Sequence, residues 1–237
     1  IAEQARKFIR DNKDRPFFAY IPTNAPHSPL NVAEKYSQPY VERGVPESMA
    51  KFYGMIENID ENIGRLMASL EEWGLAENTI LIFMTDNGSA GGAGVRRGAA
   101  TGAAWQGWNA GMRGTKGSQL EGGHRVPCFI RWPAGGVQGG RDIDQLAAHI
   151  DLLPTLIDLC GLKINKAAEF EGRSLKPLLE GNPVPFRDRK VVIQYGPSGP
   201  VFKEWDSAVL WNKWRLVKGQ ELYDITVDPG QKADLAS

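Results

Sequence analysis

At 237 residues, 42% hydrophobic and 24% charged, the chain has ordinary globular composition, long enough for one sizeable core or two unequal ones. Its 28 Lys and Arg balance 28 Asp and Glu, which argues against a basic nucleic-acid surface and against an acidic tail. No apolar run reaches membrane-spanning length, and the two cysteines, Cys128 and Cys160, make neither a disulfide framework nor a metal-binding pair; each sits in an apolar run and reads as a small buried hydrophobe.

The opening "IAEQARKFIRDNKDRPFF" reads as interior sequence, an amphipathic helix over residues 2–12 running straight into a strand. That strand is "PFFAYIP" (16–22), stopped by Pro22, and "TNAPHSPLNVAEKY" after it is a loop rich in turn formers. Residues 48–73 are a helix: Met49, Phe52, Ile56, Ile59, Ile63, Leu66, Leu70 and Trp73 recur at three- and four-residue spacing, and Gly74 supplies the stop. "NTILIFMTD" follows as a strand apolar on both faces, as in a parallel sheet covered by helices. Residues 88–114 are glycine-rich and carry Arg96, Arg97, Trp105, Trp108 and Arg113; irregular stretches of that length are functional or disordered. "RVPCFIRWP" (125–133) is a second buried strand. "HIDLLPTLIDLCG" (149–161) is a helix with Asp151 at the N-cap, Pro154 in the first turn and Gly161 as stop. From residue 187, "KVVIQY", "SAVLWN", "WRLVKG" and "ELYDI" read as an antiparallel meander. The domain division is therefore 1–186 for an α/β portion and 187–237 for a small antiparallel β subdomain.

Three stretches could hold chemistry. Asp86-Asn87 stands either at the corner of a hairpin or at the carboxyl end of a buried strand. A carboxylate and an amide oxygen at a strand end suit a hard cation such as calcium or magnesium. "GMRGTKGSQLEGGHRVP" (111–127) fails the spacing of a phosphate-binding loop; Lys116 is either a solvated turn lysine or one held by glycines and aimed at an anion. His27, in "NAPHSP", is flanked by prolines that stiffen its loop, and is either structural or catalytic. His124 and His149 have no stronger individual case, and His149, just before an N-cap, reads as structural.

As an ordered set, "FFAYIPTNAPHSPL", "YGMIENIDENIGRLMASLEEWGLAENTILIFMTDNG", "NAGMRGTKGSQLEGGHRVPCFIRWP", "HIDLLPTLIDLCG" and "ELYDITVDPGQKADLA" resemble the sulfatase family, in its arylsulfatase-like branch of the alkaline phosphatase superfamily. The resemblance covers nearly the whole chain. It implies part of a sulfatase-type α/β/α sandwich with a small C-terminal antiparallel sheet. It also implies that Asp86 and Asn87 match the second pair of divalent-metal ligands, usually for calcium. Lys116 matches the lysine that binds the sulfate and stabilises the leaving oxygen, and His27 the histidine that contacts the sulfate and protonates the leaving group. His124 and Arg125 fall where the family varies and are candidate site-lining residues. Arg113, Trp105 and Trp108 are candidate substrate contacts, since arginine and aromatic side chains suit a sulfated sugar.

The family's nucleophile is a cysteine or serine of a C-x-P-S-R-type motif, converted to formylglycine. Neither Cys128, in "CFIRW", nor Cys160, in "CGLKI", starts such a motif, and no serine does. The paired aspartates of the family's first strand and its lysine-x-histidine element are also lacking here. The chain is accordingly expected to be the C-terminal half of a sulfatase: a cut piece, a cleaved product or the product of a split gene. It would be inactive by itself, would bind metal weakly, and would pair with its N-terminal half or self-associate through an open sheet edge. The substrate would be a sulfated carbohydrate or aryl sulfate, and the compartment periplasmic, extracellular or lysosomal. Two other readings stay open: a phosphate mono- or diesterase of the same superfamily, and a non-catalytic anion- or glycan-binding module.

Overall fold

In the computed structural model, which describes residues 1–90, 109–137, 139–164, 169–182, 188–195 and 205–236, the chain divides into two units. The first is built on Ile1–Thr79 and the second on Ile80–Ser89 with Asn109–Ser237.

Three helices make the first unit: α1 (Ala2–Asp11), α2 (Glu34–Val41) and α3 (Glu47–Glu72). The three- and four-residue apolar spacing places Met49 and Leu70 of α3 in the interior, and Ile9 is the buried residue of α1. Arg6 Nε reaches across to Ser69 Oγ at 2.8 Å. Helix α2 crosses α3 closely because residue 54 is glycine: a Cβ there would fall 2.9 Å from the carbonyl carbon of Tyr36. Gly74, at φ +69°, closes the end of α3 in the left-handed region, as the sequence suggests. Residues 34–36, expected in a loop, begin α2 instead. Pro39 reads locally as a breaker, and packing on α3 outweighs it. Residues 16–22, expected as a strand, take no regular secondary structure and join no ladder, with Phe18 76% and Tyr20 80% exposed.

The second unit begins with β1 (Leu81–Met84), paired to β2 (Cys128–Arg131) with Leu81 opposite Arg131 and Met84 opposite Cys128. The pairing is antiparallel, which corrects the parallel, doubly covered sheet expected of these two strands. With period-two alternation, Ile80, Ile130 and Trp132 pack on a core of Val137, Leu159, Leu175, Leu178 and Leu179. The opposite face keeps the Phe83–Phe129 stack open, and Phe129 is 65% exposed. Cys128 and Cys160 are both exposed, a second correction. Cys128 lies at the ribbon's open end, and Cys160 at the C-cap of α5 (Leu152–Leu159). Asp151 does take the N-cap position of α5, Gly161 does end it at φ +60°, and the short helices α4 (Glu121–His124) and α6 (Lys176–Leu179) complete the helical part.

The expected C-terminal meander is present: β3 (Lys190–Gln194), β4 (Ser207–Trp211), β5 (Trp214–Val217) and β6 (Glu221–Asp224) form an antiparallel sheet in chain order. The α/β class and the small antiparallel sheet read from the sequence therefore both hold. Its inner face carries Ala208, Leu210, Val217 and Tyr223, with Leu120 and Leu146 packed against them. Alternation along β5 puts Arg215 on that inner face, where it is 5% exposed. A buried arginine needs a partner, and that partner belongs to the candidate site. No described helix is long and apolar enough to cross a membrane.

Candidate active site

The site is organised where β1 ends. Asp86 and Asn87 form a bend immediately beyond Met84, and the strand that pairs with β1 is entered only at Cys128. The pair is therefore not the corner of a tight hairpin. Asp86 is exposed, and its Oδ1 accepts the Asn87 backbone N–H at 2.9 Å. The Asn87 amide nitrogen donates to the Gly88 carbonyl at 3.1 Å, which fixes that group as nitrogen and leaves the amide oxygen available. A carboxylate and an amide oxygen side by side fit a hard divalent cation as part of a ligand set. Among the described residues, no group of three His, Cys, Asp or Glu side chains stands ready to hold a metal.

Lys116 joins this bend through its backbone, donating its N–H to Ser89 O at 2.7 Å. Its side chain is exposed. Thus the two stretches singled out separately in the sequence are brought together. They rest on a floor of glycines. Gly88 N–H donates to Gly123 O at 3.0 Å, and Gly122 N–H to Arg113 O at 2.8 Å. A Cβ on Gly88 would fall 1.9 Å from Gly122 O, and one on Gly122 would fall 2.2 Å from Gly114 O. Glycine is required at both positions because backbone approaches backbone directly.

His27 lies in the first unit, exposed, in a turn closed by its own N–H to Asn24 O at 3.0 Å. Its Nδ1 sits 2.8 Å from the Ser28 carbonyl. A carbonyl only accepts, so Nδ1 carries the proton and Nε2 is the nitrogen open to a substrate. Trp105 and Trp108, and with them Arg96 and Arg97, fall outside the described residues.

Two candidates take different places from those expected of substrate contacts. Arg113 turns to the C-terminal sheet, its Nη1 donating to Glu221 Oε2 at 2.8 Å and Tyr223 Oη at 2.9 Å. The Tyr223 hydroxyl and then Arg113 hold the Glu221 carboxyl below the ordinary carboxylate range. His124 is largely buried, with Nε2 3.7 Å from Glu121 Oε1 and without a hydrogen bond. Burial holds its imidazole below the ordinary histidine range, with Arg215 and Arg125 pushing the same way and Glu121 and a Gln119 backbone contact opposing.

The residue the sequence reading passed over is Glu121. It is 1% exposed, and its Oε1 accepts Arg215 Nε at 2.5 Å. Its backbone N–H donates to Gln231 Oε1 at 3.2 Å. A signal existed: a glutamate set between Leu120 and Gly122-Gly123, just ahead of a strand, has no solvent-facing stretch to occupy.

The Sulfatase family model matches residues 1–162, and one described as N-sulphoglucosamine sulphohydrolase, C-terminal, matches residues 116–236. Mouse steryl-sulfatase is 33% identical over 188 residues, 77% of this chain and 27% of that protein. An arylsulfatase of Clostridium perfringens is 27% identical over 267 residues, 95% of this chain and 50% of that protein. The crystal structure of Ps i-CgsB in complex with k-i-k-neocarrahexaose superposes with a TM-score of 0.84 at 26% identity, covering 99% of this chain and 49% of that one. This chain thus spans half or less of the length of these relatives.

Proposed function

The chain belongs to the sulfatase family, and from that premise we propose that it supplies the cation- and sulfate-binding side of an active site hydrolysing sulfate esters. The observation that carries this reading is the Lys116 N–H bond to Ser89 O, which sets a lysine beside the Asp86-Asn87 bend. Hydrolysis of a sulfate ester needs a nucleophile at sulfur, positive charge against the sulfuryl oxygens and a proton for the leaving oxygen. Lys116 offers an ammonium on a stem rooted at the bend. Asp86 and Asn87 would contribute oxygens to a divalent cation, calcium by preference, and that ion would supply further charge neutralisation. His27, with its Nδ1–H engaged by Ser28 O, would pass a proton from Nε2 to the leaving oxygen when its ring is doubly protonated, and would be left as the neutral Nδ1–H imidazole. The nucleophile, a formylglycine in the family pattern, would come from sequence this chain lacks. Hard cations of this kind take about six to eight oxygens, so these 237 residues alone bind calcium weakly and turn over no sulfate ester.

The substrate class that suits the site is a sulfated carbohydrate or aryl sulfate, with Trp105 and Trp108 as stacking surfaces. The open Phe83–Phe129 face and the unpaired segment 16–22 suit a complementary N-terminal portion, or a second copy in its absence. A lysosomal, secreted or periplasmic setting accords with this activity.

The test compares a sulfate and a phosphate ester of one leaving group in the full-length protein. Sulfate is turned over preferentially, and Lys116→Ala and Asp86→Asn each lower kcat/KM by about a hundredfold or more. Preference for the phosphate ester would move the protein to the phosphoesterase reading. Wild-type rates in both variants would remove Lys116 and Asp86 from the site.

A further inference from the structure

The bend that bears Asp86 and Asn87 does not stand on its own strand alone. Its Gly88 N–H is held by Gly123 O, and its Ser89 carbonyl by Lys116 N–H. Gly122 and Gly123 belong to α4, a single turn too short to keep its own place. That turn begins at Glu121, and Glu121 is anchored twice from the C-terminal segment. Arg215 of β5 grips its carboxylate, and Gln231, beyond β6, accepts its backbone N–H. Arg113, just before the glycine floor, is tied to Glu221 and Tyr223 of β6. The floor under the bend is thus pinned to the sheet at both of its ends.

A buried carboxylate is a costly way to fasten a turn when an apolar side chain could fill the space. Glu121 also leaves Oε2 without a hydrogen bond, 3.7 Å from Arg125 Nη1, and Oε1 has the unbonded Nε2 of His124 at 3.7 Å. Such a group is retained where it fixes one arrangement against near alternatives.

We propose that Glu121 is a positioning residue: held by Arg215 and Gln231, it fixes the Gly122-Gly123 floor on which Lys116 and the Asp86-Asn87 bend rest. The C-terminal sheet thereby sets the geometry of the sulfate and cation ligands without touching either. For its catalytic consequence this inference rests on the proposed function; the coupling itself does not.

The test is amide hydrogen exchange by NMR on the full chain, read at Gly88 and Lys116 with the turn amides of Leu162 and Asn182, bonded to Ile157 O and Pro177 O, as internal reference. Arg215→Met and Glu121→Gln each speed exchange at Gly88 and Lys116 about tenfold or more, while the Leu162 and Asn182 turn amides, which open locally, keep wild-type rates. The double variant exchanges no faster than the faster single, because both act through one link. Arg215→Lys, which keeps a cation near Oε1, restores most of the protection that Arg215→Met loses. Gln231→Leu leaves the buried pair intact and speeds the same two amides to a smaller extent. Wild-type rates at Gly88 and Lys116 would overturn the proposal. So would acceleration of the Leu162 and Asn182 amides in parallel with the bend, or equal rates in the Lys and Met variants. Faster exchange at the bend in a protein without sulfatase activity would sink the proposed function and leave the coupling standing. Unaltered exchange in an active sulfatase would sink the coupling alone.

Discussion

Gly88→Ala sets two effects of opposite sign against each other, and the structure decides between them. Gly88 does not need the left-handed region, since its φ is not among the positive ones. An alanine there would therefore stabilise the fold by about 0.4–1 kcal/mol through the unfolded chain, other things being equal. Other things are not equal. The new methyl would lie 1.9 Å from Gly122 O, where real Cβ atoms stay beyond 3.0 Å, so the bend and α4 must part by roughly 1 Å. That separation breaks the Gly88 N–H bond to Gly123 O, about 1 kcal/mol, and adds about 1–3 kcal/mol of overpacking strain. The net effect is a loss of about 1–3.6 kcal/mol. Gly64→Ala is the control, an exposed position inside α3 where a Cβ meets nothing within 4 Å. It should gain up to about 1 kcal/mol from helix propensity. Urea unfolding followed by tryptophan fluorescence and far-ultraviolet circular dichroism reads both. A Gly88→Ala midpoint at or above wild type, with unchanged m, would refute the close approach on which the site geometry rests.

Other outcomes follow from the same contacts. Arg215→Met strands the Glu121 carboxylate in the interior and should cost about 3–5 kcal/mol in urea unfolding, with part recovered in the Glu121→Gln/Arg215→Met double variant. His124 is held below its unfolded value of 6.5, so its contribution is whole above that pH and is lost as pH falls from 6.5 through the folded value. His124→Asn should flatten that acid limb in unfolding free energies measured between about pH 5 and 8. Calorimetry on these 237 residues should find calcium affinity weaker than micromolar; a single micromolar site would contradict a partial ligand set. In the full-length protein, Trp105→Ala and Trp108→Ala should each lower turnover of a sulfated glycan by about tenfold, and unchanged turnover would remove both from the substrate site.

What the sequence made legible was periodic or local. The apolar spacing of α3, the Asp151 and Gly161 limits of α5 and the alternation of the C-terminal strands are written in neighbouring residues, and each was found. The stretch 16–22 shows why the same signal fails elsewhere. Its aromatic run reports a side-chain pattern, whereas a strand is defined by a partner that the pattern does not name. The direction of β1 against β2 failed for a related reason: continuous apolar runs are read as parallel because they imply cover on both faces, and here only one face of the ribbon is covered. Cys128 followed that error, since its burial was inferred from the cover. Asp86, Asn87 and Lys116 are candidates through a family order of motifs, but the bond that joins their stretches, Lys116 to Ser89, links positions twenty-seven residues apart and leaves no local trace.

The same reasoning explains why Glu121 and Arg215 escaped notice while Arg113 was assigned outward. A charged residue is read as solvent-facing unless something local says otherwise. Arg215 sits on the inner face of β5 between positions that alternate with Trp214 and Leu216, a register visible only once the sheet is built. Its charge can be buried there only because Glu121, ninety-four positions earlier in the chain, arrives at the same point. Arg113 stays exposed and is turned to the sheet by the counterpart arrangement, Glu221 and Tyr223 on β6. Two arginine–glutamate links therefore run between the glycine floor and the sheet, with the charges exchanged: the floor supplies the arginine in one and the glutamate in the other. Such reciprocity lets the floor seat in one register only, because a shifted register would face like charges or leave a carboxylate unpaired in the interior. On the proposed function, a bend whose ligands would meet a cation and a sulfate in fixed geometry is served by that kind of support, and a loop fastened by apolar contacts alone would allow the slip.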